Sequence, residues 1–102
     1  MLDDIQNEIH KWGKRNFPNA EPWEAVIGAT EEWGEFCHAF LKAHRGIRGK
    51  TDAEARDALG DVMIFLLHLA AMRGWSLQTI IEDTWKQVQK RDWIANPNTG
   101  RS

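Results

Sequence analysis

Residues 51–74, TDAEARDALGDVMIFLLHLAAMRG, decide how this chain folds. The segment opens on Thr51-Asp52-Ala53-Glu54, which has capping-box form, with Glu54 placed to reach back to the helix start. It closes at Gly74, a residue suited to the left-handed turn that ends a helix. Beyond Asp61 the segment is apolar nearly all round, and such a helix lies centrally in a bundle or against a second subunit. Its apolar runs, Val62 to Leu67 and Leu69 to Met72, are parted by His68 and are too short to cross a bilayer.

Upstream, a helix is predicted from about Trp23 to His44, ended by Gly46 and Gly49. Val26, Thr30, Cys37 and Leu41 trace one side of it, and Glu31, Glu35 and His38 another. The stretch Asn16 to Pro22, with Pro18, Asn19 and Pro22, separates it from a first helix over about Asp3 to Arg15, where Ile5, Ile9 and Trp12 form a stripe. Downstream, Ser76 caps a fourth helix that runs to about Trp93, with Leu77, Ile80, Ile81, Trp85 and Val88 at helical spacing. Asn96-Pro97-Asn98 stops the pattern, and residues 95–102 read as a loose tail. No strand signal appears. Short connections predict antiparallel neighbours, so the expected fold is all-α, an antiparallel bundle of about four helices in one domain over residues 1–102.

Composition narrows the function. A 102-residue chain has a thin core, and apolar area left over favours self-association. A net charge of -2 offers no basic excess for a nucleic-acid backbone. The single cysteine, Cys37, fits a reducing compartment and reads as core, without a base to activate it. The start Met1-Leu2-Asp3-Asp4 is unlike a secretory signal, so the expected location is the cytoplasm, away from membranes. Six tryptophans and no tyrosine suggest that large rings fill the thin core, Trp33 and Trp85 first among them. Trp12, Phe17 and Trp23 flank the first connection; they read first as core and second as a wall on which a nucleobase could stack.

The chemistry lies in two acidic clusters. Glu31-Glu32-Trp33-Gly34-Glu35 puts three carboxylates on one broad helical face, and Asp57-Ala58-Leu59-Gly60-Asp61 puts two on another. Neither cluster contains a lysine or arginine to balance it. Asp61 abuts the most apolar stretch of the chain, where an unpaired charge is costly. A hard divalent cation would supply the missing partner. Gly34 and Gly60 each cost a helix about 1 kcal/mol relative to alanine, which suggests close approach by a backbone or a ligand beside each cluster.

Glu31-Glu32-Trp33-Gly34-Glu35-Phe36 followed by Leu59-Gly60-Asp61-Val62 resembles the MazG-like all-α nucleoside triphosphate pyrophosphohydrolases, whose signature is ExxE on one helix and ExxD on the next. The likeness extends to Trp12–Pro18 and to the basic end Lys86–Arg91. It implies cleavage of a nucleoside triphosphate between the α and β phosphates, giving the monophosphate and pyrophosphate. It also implies magnesium, with manganese as a substitute, and assembly into homodimers or homotetramers. Carried over, Glu32 and Glu35 match ExxE and are the catalytic candidates; Glu31, Glu32, Glu35, Asp57 and Asp61 are the metal candidates. One position departs: residue 58, where the pattern has an acid, is Ala58, and Asp57 stands in for it. A literal ExxD at Glu54–Asp57 is set aside because Glu54 serves the capping box.

Physical needs then assign roles. One of Glu32 and Glu35 orients or deprotonates the attacking water. Lys86, Lys90 and Arg91 are candidates for the outer phosphates, with a favourable cationic helix C-terminus as the plainer reading. His68 reads as structural or interfacial. Glu35-Phe36-Cys37-His38 has the ExxH spacing of di-iron bundles, but no second ExxH accompanies it. The non-catalytic alternative is a weak or inactive chain that binds nucleotide or assembles without turnover.

Overall fold

The computed structural model describes residues 1–101, which form four helices: α1 (Leu2–Asn16), α2 (Pro22–Arg45), α3 (Asp52–Met72) and α4 (Leu77–Val88). No strand occurs among the described residues. The all-α expectation holds, and the first three helices start and stop within a residue or two of their predicted ends.

Local chemistry sets those ends. The Thr51 hydroxyl accepts from the Glu54 amide at 3.2 Å. The Glu54 carboxylate pairs with Lys50 at 3.4 Å. Only the Thr51 half of the expected capping box therefore forms at α3, and the complete box is at α2: Pro22 occupies the first turn, and the Glu21 amide donates to Glu24 Oε2 at 3.2 Å. Gly46, at φ +66°, supplies the left-handed residue that ends α2.

α3 is the spine of the molecule, with α2 packed along it most extensively and α1 second. Two close contacts fix the register. Gly28 of α2 lies against the Phe65 ring, and Gly13 of α1 lies against the His68 imidazole; a β-carbon at either glycine would overlap the ring. Toward the other end of α1, the Gln6 side chain meets the backbone at Trp75 and Leu77. Sequence number rises along α1 and α2 as it falls along α3, so both run antiparallel to it. Small residues are buried on both helices of the α2–α3 pair, Ala25 and Ala39 on α2 and Ala55 and Ala70 on α3, and small side chains let backbones approach closely.

α4 departs from the antiparallel expectation. It leaves α3 through a bend of 102° and packs on α1. The corner is tied to the start of α1. Gln78 Oε1 accepts from the Leu2 amide at 2.9 Å, the Ser76 hydroxyl donates to Asp3 at 2.7 Å, and Gln6 donates to the Trp75 carbonyl at 2.6 Å. Gln6 also accepts from the Leu77 amide at 3.1 Å. These bonds satisfy exposed helix ends on both α1 and α4, and they hold α4 across the layer.

α4 ends at Val88, short of the predicted Trp93. Beyond it, Asp92 Oδ1 accepts from the amides of Ile94 and Ala95, and the Asp92 amide donates to Gly100 O at 2.7 Å. A side chain that bonds its own following amides competes with helix. The stretch expected as a loose tail thus carries a hydrogen-bonded turn, with Gly100 against the Trp93 ring.

The core is thinner than the composition suggested. Its buried apolar residues are Ala25, Ala39, Ala55, Val62, Leu67 and Ala70, and no large side chain among the described residues is fully enclosed. Trp33 and Trp85, expected in the core, are about half exposed, as are Trp12, Phe17 and Trp23. Cys37, also expected inside, is exposed. The reason is architectural: α1 and α2 both pack on α3, leaving an open layer with uncovered faces. No single helix among the described residues is long and apolar enough to cross a membrane.

Candidate functional site

All five candidate metal ligands come from the α2–α3 hairpin. The Gly28–Phe65 contact gives their levels. One turn on from Gly28 is Glu32, and one turn back from Phe65 is Asp61, so these two carboxylates stand at one height. Glu32 lies on the seam line of Ala25, Gly28 and Ala39 and is half-buried. Asp61, beside buried Val62, is half-buried too.

The remaining acids follow a common rule. Glu31 and Glu35 immediately precede Glu32 and Phe36, and Asp57 and Asp61 immediately precede Ala58 and Val62. A two-fold axis normal to the plane of an antiparallel pair interchanges its helices. Residues one step before the seam therefore leave it toward the same side on both. Glu31, Glu35, Asp57 and Asp61 accordingly share one edge of the hairpin, with Glu32 at its root. Glu31, Glu35 and Asp57 are exposed.

None of the five is ion-paired to a lysine or arginine among the described residues. Nor does any set of three or more His, Cys, Asp or Glu side chains converge closely enough there to hold a metal ion on its own. The arrangement is a line of oxygens along an edge, deepest at Glu32 and Asp61. Such a set suits magnesium, which takes one or two carboxylates, keeps several waters and shares substrate phosphates. It does not suit a metal that needs a closed protein cage. Ala58, at the departure from the family pattern, packs in the seam without a polar atom to offer.

The other candidates are placed apart. Lys90 and Arg91 line a surface cavity of about 400 Å³ together with Gln87 and Arg101. Lys86 lies 4.0 Å from Asp83, on the exposed surface of α4. Because α4 packs on α1, one chain does not bring these cations to the acidic edge. Trp12 and Phe17 meet edge-on with ring centroids 5.7 Å apart, and the Trp23 indole donates to Glu21 at 2.7 Å. Arg101 was not singled out in the sequence; its place beside Lys90 and Arg91 depends on the turn after α4.

Gly34 and Gly60 do not serve close packing within the chain: a β-carbon at either meets nothing within 4 Å. That role belongs to Gly13 and Gly28, where no acid stands beside the glycine. His68 and His10 meet at the α1–α3 contact, and each has a buried Nδ1 without a hydrogen-bond partner. Burial, and secondarily the charge of His10, hold the His68 pKa below its usual value.

Compared with protein-family models, curated proteins and solved structures, the chain matches none. The likeness to the MazG-like enzymes therefore rests on the motif residues themselves.

Proposed function

We propose that this chain is a MazG-like, magnesium-dependent nucleoside triphosphate pyrophosphohydrolase. It would act in the cytoplasm, with nucleotide-pool house-cleaning as its task. The observation that supports this reading is the shared acidic edge, with half-buried Glu32 and Asp61 at one height and Glu31, Glu35 and Asp57 beside them.

Glu32 and Asp61 would hold magnesium, or manganese in its place, with Glu31, Glu35 and Asp57 beside them on the same edge. When bound, the ion neutralises charge on the phosphates. Glu35, exposed on the same edge, accepts a proton from the attacking water or orients it, as a carboxylate within hydrogen-bond reach can do. Attack between the α and β phosphates gives the monophosphate and pyrophosphate. The cationic cavity of Lys90, Arg91 and Arg101 suits phosphate groups by charge, but one chain by itself does not bring it to the acidic edge. Trp12, Phe17 and Trp23 present exposed rings on which a base can stack.

A panel of ribo- and deoxynucleoside triphosphates with magnesium, scored for monophosphate and pyrophosphate, tests the proposal. Glu35→Gln and Asp61→Asn should each abolish turnover while helix content is kept. Full activity in either variant overturns the assignment.

Apolar Ala58 at the position of a usual acid favours a second reading. In it the chain binds nucleotide with little or no turnover. Such a binder is recognised by nucleotide-induced thermal stabilisation without product.

A further inference from the structure

The stretch after α4 folds into a braced loop with an apolar tip. The Asp92 amide donates to Gly100 O at 2.7 Å, the Gly100 amide to Asn96 O at 2.7 Å, and the Asn96 amide to Asp92 O at 2.9 Å. Residues at steps of four thus close a ring of backbone bonds. Inside it, Asp92 Oδ1 accepts from the Ile94 amide at 3.0 Å and from the Ala95 amide at 2.9 Å. Ile94 is nevertheless 97% exposed, more than any other large apolar residue described, and Trp93 beside it is about half exposed. Single exposed apolar residues are ordinary on a protein surface. An isoleucine held out by a loop with this many internal bonds is presented to something.

The same closure gathers charge. Pairing Asp92 with Gly100 sets their neighbours Arg91 and Arg101 at one base of the loop. With Lys90 and Gln87 they line a cavity of about 400 Å³. Three cations stand together there in a chain whose net charge is -2. None of them is ion-paired among the described residues, and the nearest acid in the chain, Asp92, is bonded to the loop's own amides.

An anionic bilayer surface takes this combination. Apolar side chains enter the headgroup layer, tryptophan sits at its level, and lysine and arginine meet the lipid phosphates. Backbone amides that enter the layer must already be bonded, as those of Ile94 and Ala95 are. A free phosphate or a nucleic-acid backbone would use the cations and leave Ile94 in water.

We infer that the loop 92–100 seats on an anionic lipid surface, with Ile94 and Trp93 in the headgroup layer and lipid phosphates in the cavity of Lys90, Arg91 and Arg101. The expectation of no membrane contact rested on the start of the chain and on apolar runs too short to span, and neither governs a loop that lies on the surface. The inference is independent of the chemistry proposed above, since α4 packs on α1 and one chain does not bring this end to the acidic edge.

Co-sedimentation of the full chain with phosphatidylcholine vesicles, with and without phosphatidylserine, tests it. The chain should pellet with the phosphatidylserine vesicles at low salt, stay free of the neutral ones, and be released as salt rises. Ile94→Asp should lower the partition about ten- to a hundredfold, the worth of burying an isoleucine side chain. Arg91→Gln should lower it about fivefold, the share of one cation near such a surface. Both positions are exposed, and unchanged helix content by circular dichroism confirms that each variant folds. Uptake by neither kind of vesicle, or equal uptake by both, overturns the inference. So does native-like uptake of Ile94→Asp, which with release by inorganic phosphate would make the cavity a site for free anions only.

Discussion

Glu32 of α2 and Asp61 of α3 stand at one level of their hairpin, each a single turn from the Gly28–Phe65 contact that sets its register. Both are half-buried, whereas Glu31, Glu35 and Asp57 are exposed. Carboxylates that are partly dehydrated and held by packing are pre-placed as ligands; exposed ones can be replaced by water. Glu32→Gln and Asp61→Asn should therefore weaken magnesium binding by roughly ten- to a hundredfold, the range known even for outer-shell partners. Glu31→Gln should cost much less. Magnesium titration in the presence of a non-hydrolysable nucleotide measures the difference, and equal losses at all five positions would contradict the depth gradient.

The glycines predict opposite outcomes. Gly60 has open space where a β-carbon would go, so Gly60→Ala should stabilise α3 by about 0.5–1 kcal/mol through helix propensity. Gly13 is covered by the His68 imidazole, and Gly13→Ala should cost about 1–3 kcal/mol by overpacking. Urea denaturation of the two variants measures both signs. Destabilisation by Gly60→Ala would mean that something outside the single chain fills that space.

Much of the fold could be read in advance because its signals are local. Thr51, Ser76, Pro22 and the glycines punctuate the chain, and three helices follow from them. The angle of α4 could not be read, because it depends on Gln6 and Gln78, ordinary polar residues whose partners lie some seventy positions away. The tryptophans misled for a related reason. Trp33 and Trp85 have helical spacing, which predicts an apolar face but not what covers it. Of the site, the two acid motifs were legible as spacing within each helix. Which acids share a level was not, since the register is set by Gly28 against Phe65 and not by any charge.

His68 makes stability depend on pH. Its folded-state pKa is depressed from the ordinary value of 6.5, first by burial and then by His10, so the folded chain holds this proton less tightly than the unfolded chain does. Stability is then complete above about pH 6.5 and declines as the pH falls below it, because the unfolded state gains the proton first. Denaturation midpoints at pH 7.5 and 5.5 measure the decline. In His68→Gln the decline should be shallower. An unchanged pH profile would exclude His68 as its source.

Gln6 is the buried polar residue among those described, and its two hydrogen bonds join α1 to the α3–α4 corner. Gln6→Ala removes a donor from the Trp75 carbonyl and an acceptor from the Leu77 amide. A buried polar group left without its partner costs about 1–3 kcal/mol. The amide loss falls in the first turn of α4, where no intrahelical carbonyl can replace it. Gln6→Ala should therefore destabilise the chain by about 2 kcal/mol or more and release α4 first, because α4 has no buried side chain to hold it otherwise. Gln6→Glu keeps the acceptor for Leu77 but sets a carboxylate oxygen against the Trp75 carbonyl, so it should not restore stability at neutral pH. Hydrogen exchange resolves the order of release: amides of Ile80 to Val88 should lose protection before those of Val62 to Ala70. Uniform loss along both helices would show that the corner bonds are not what fixes α4.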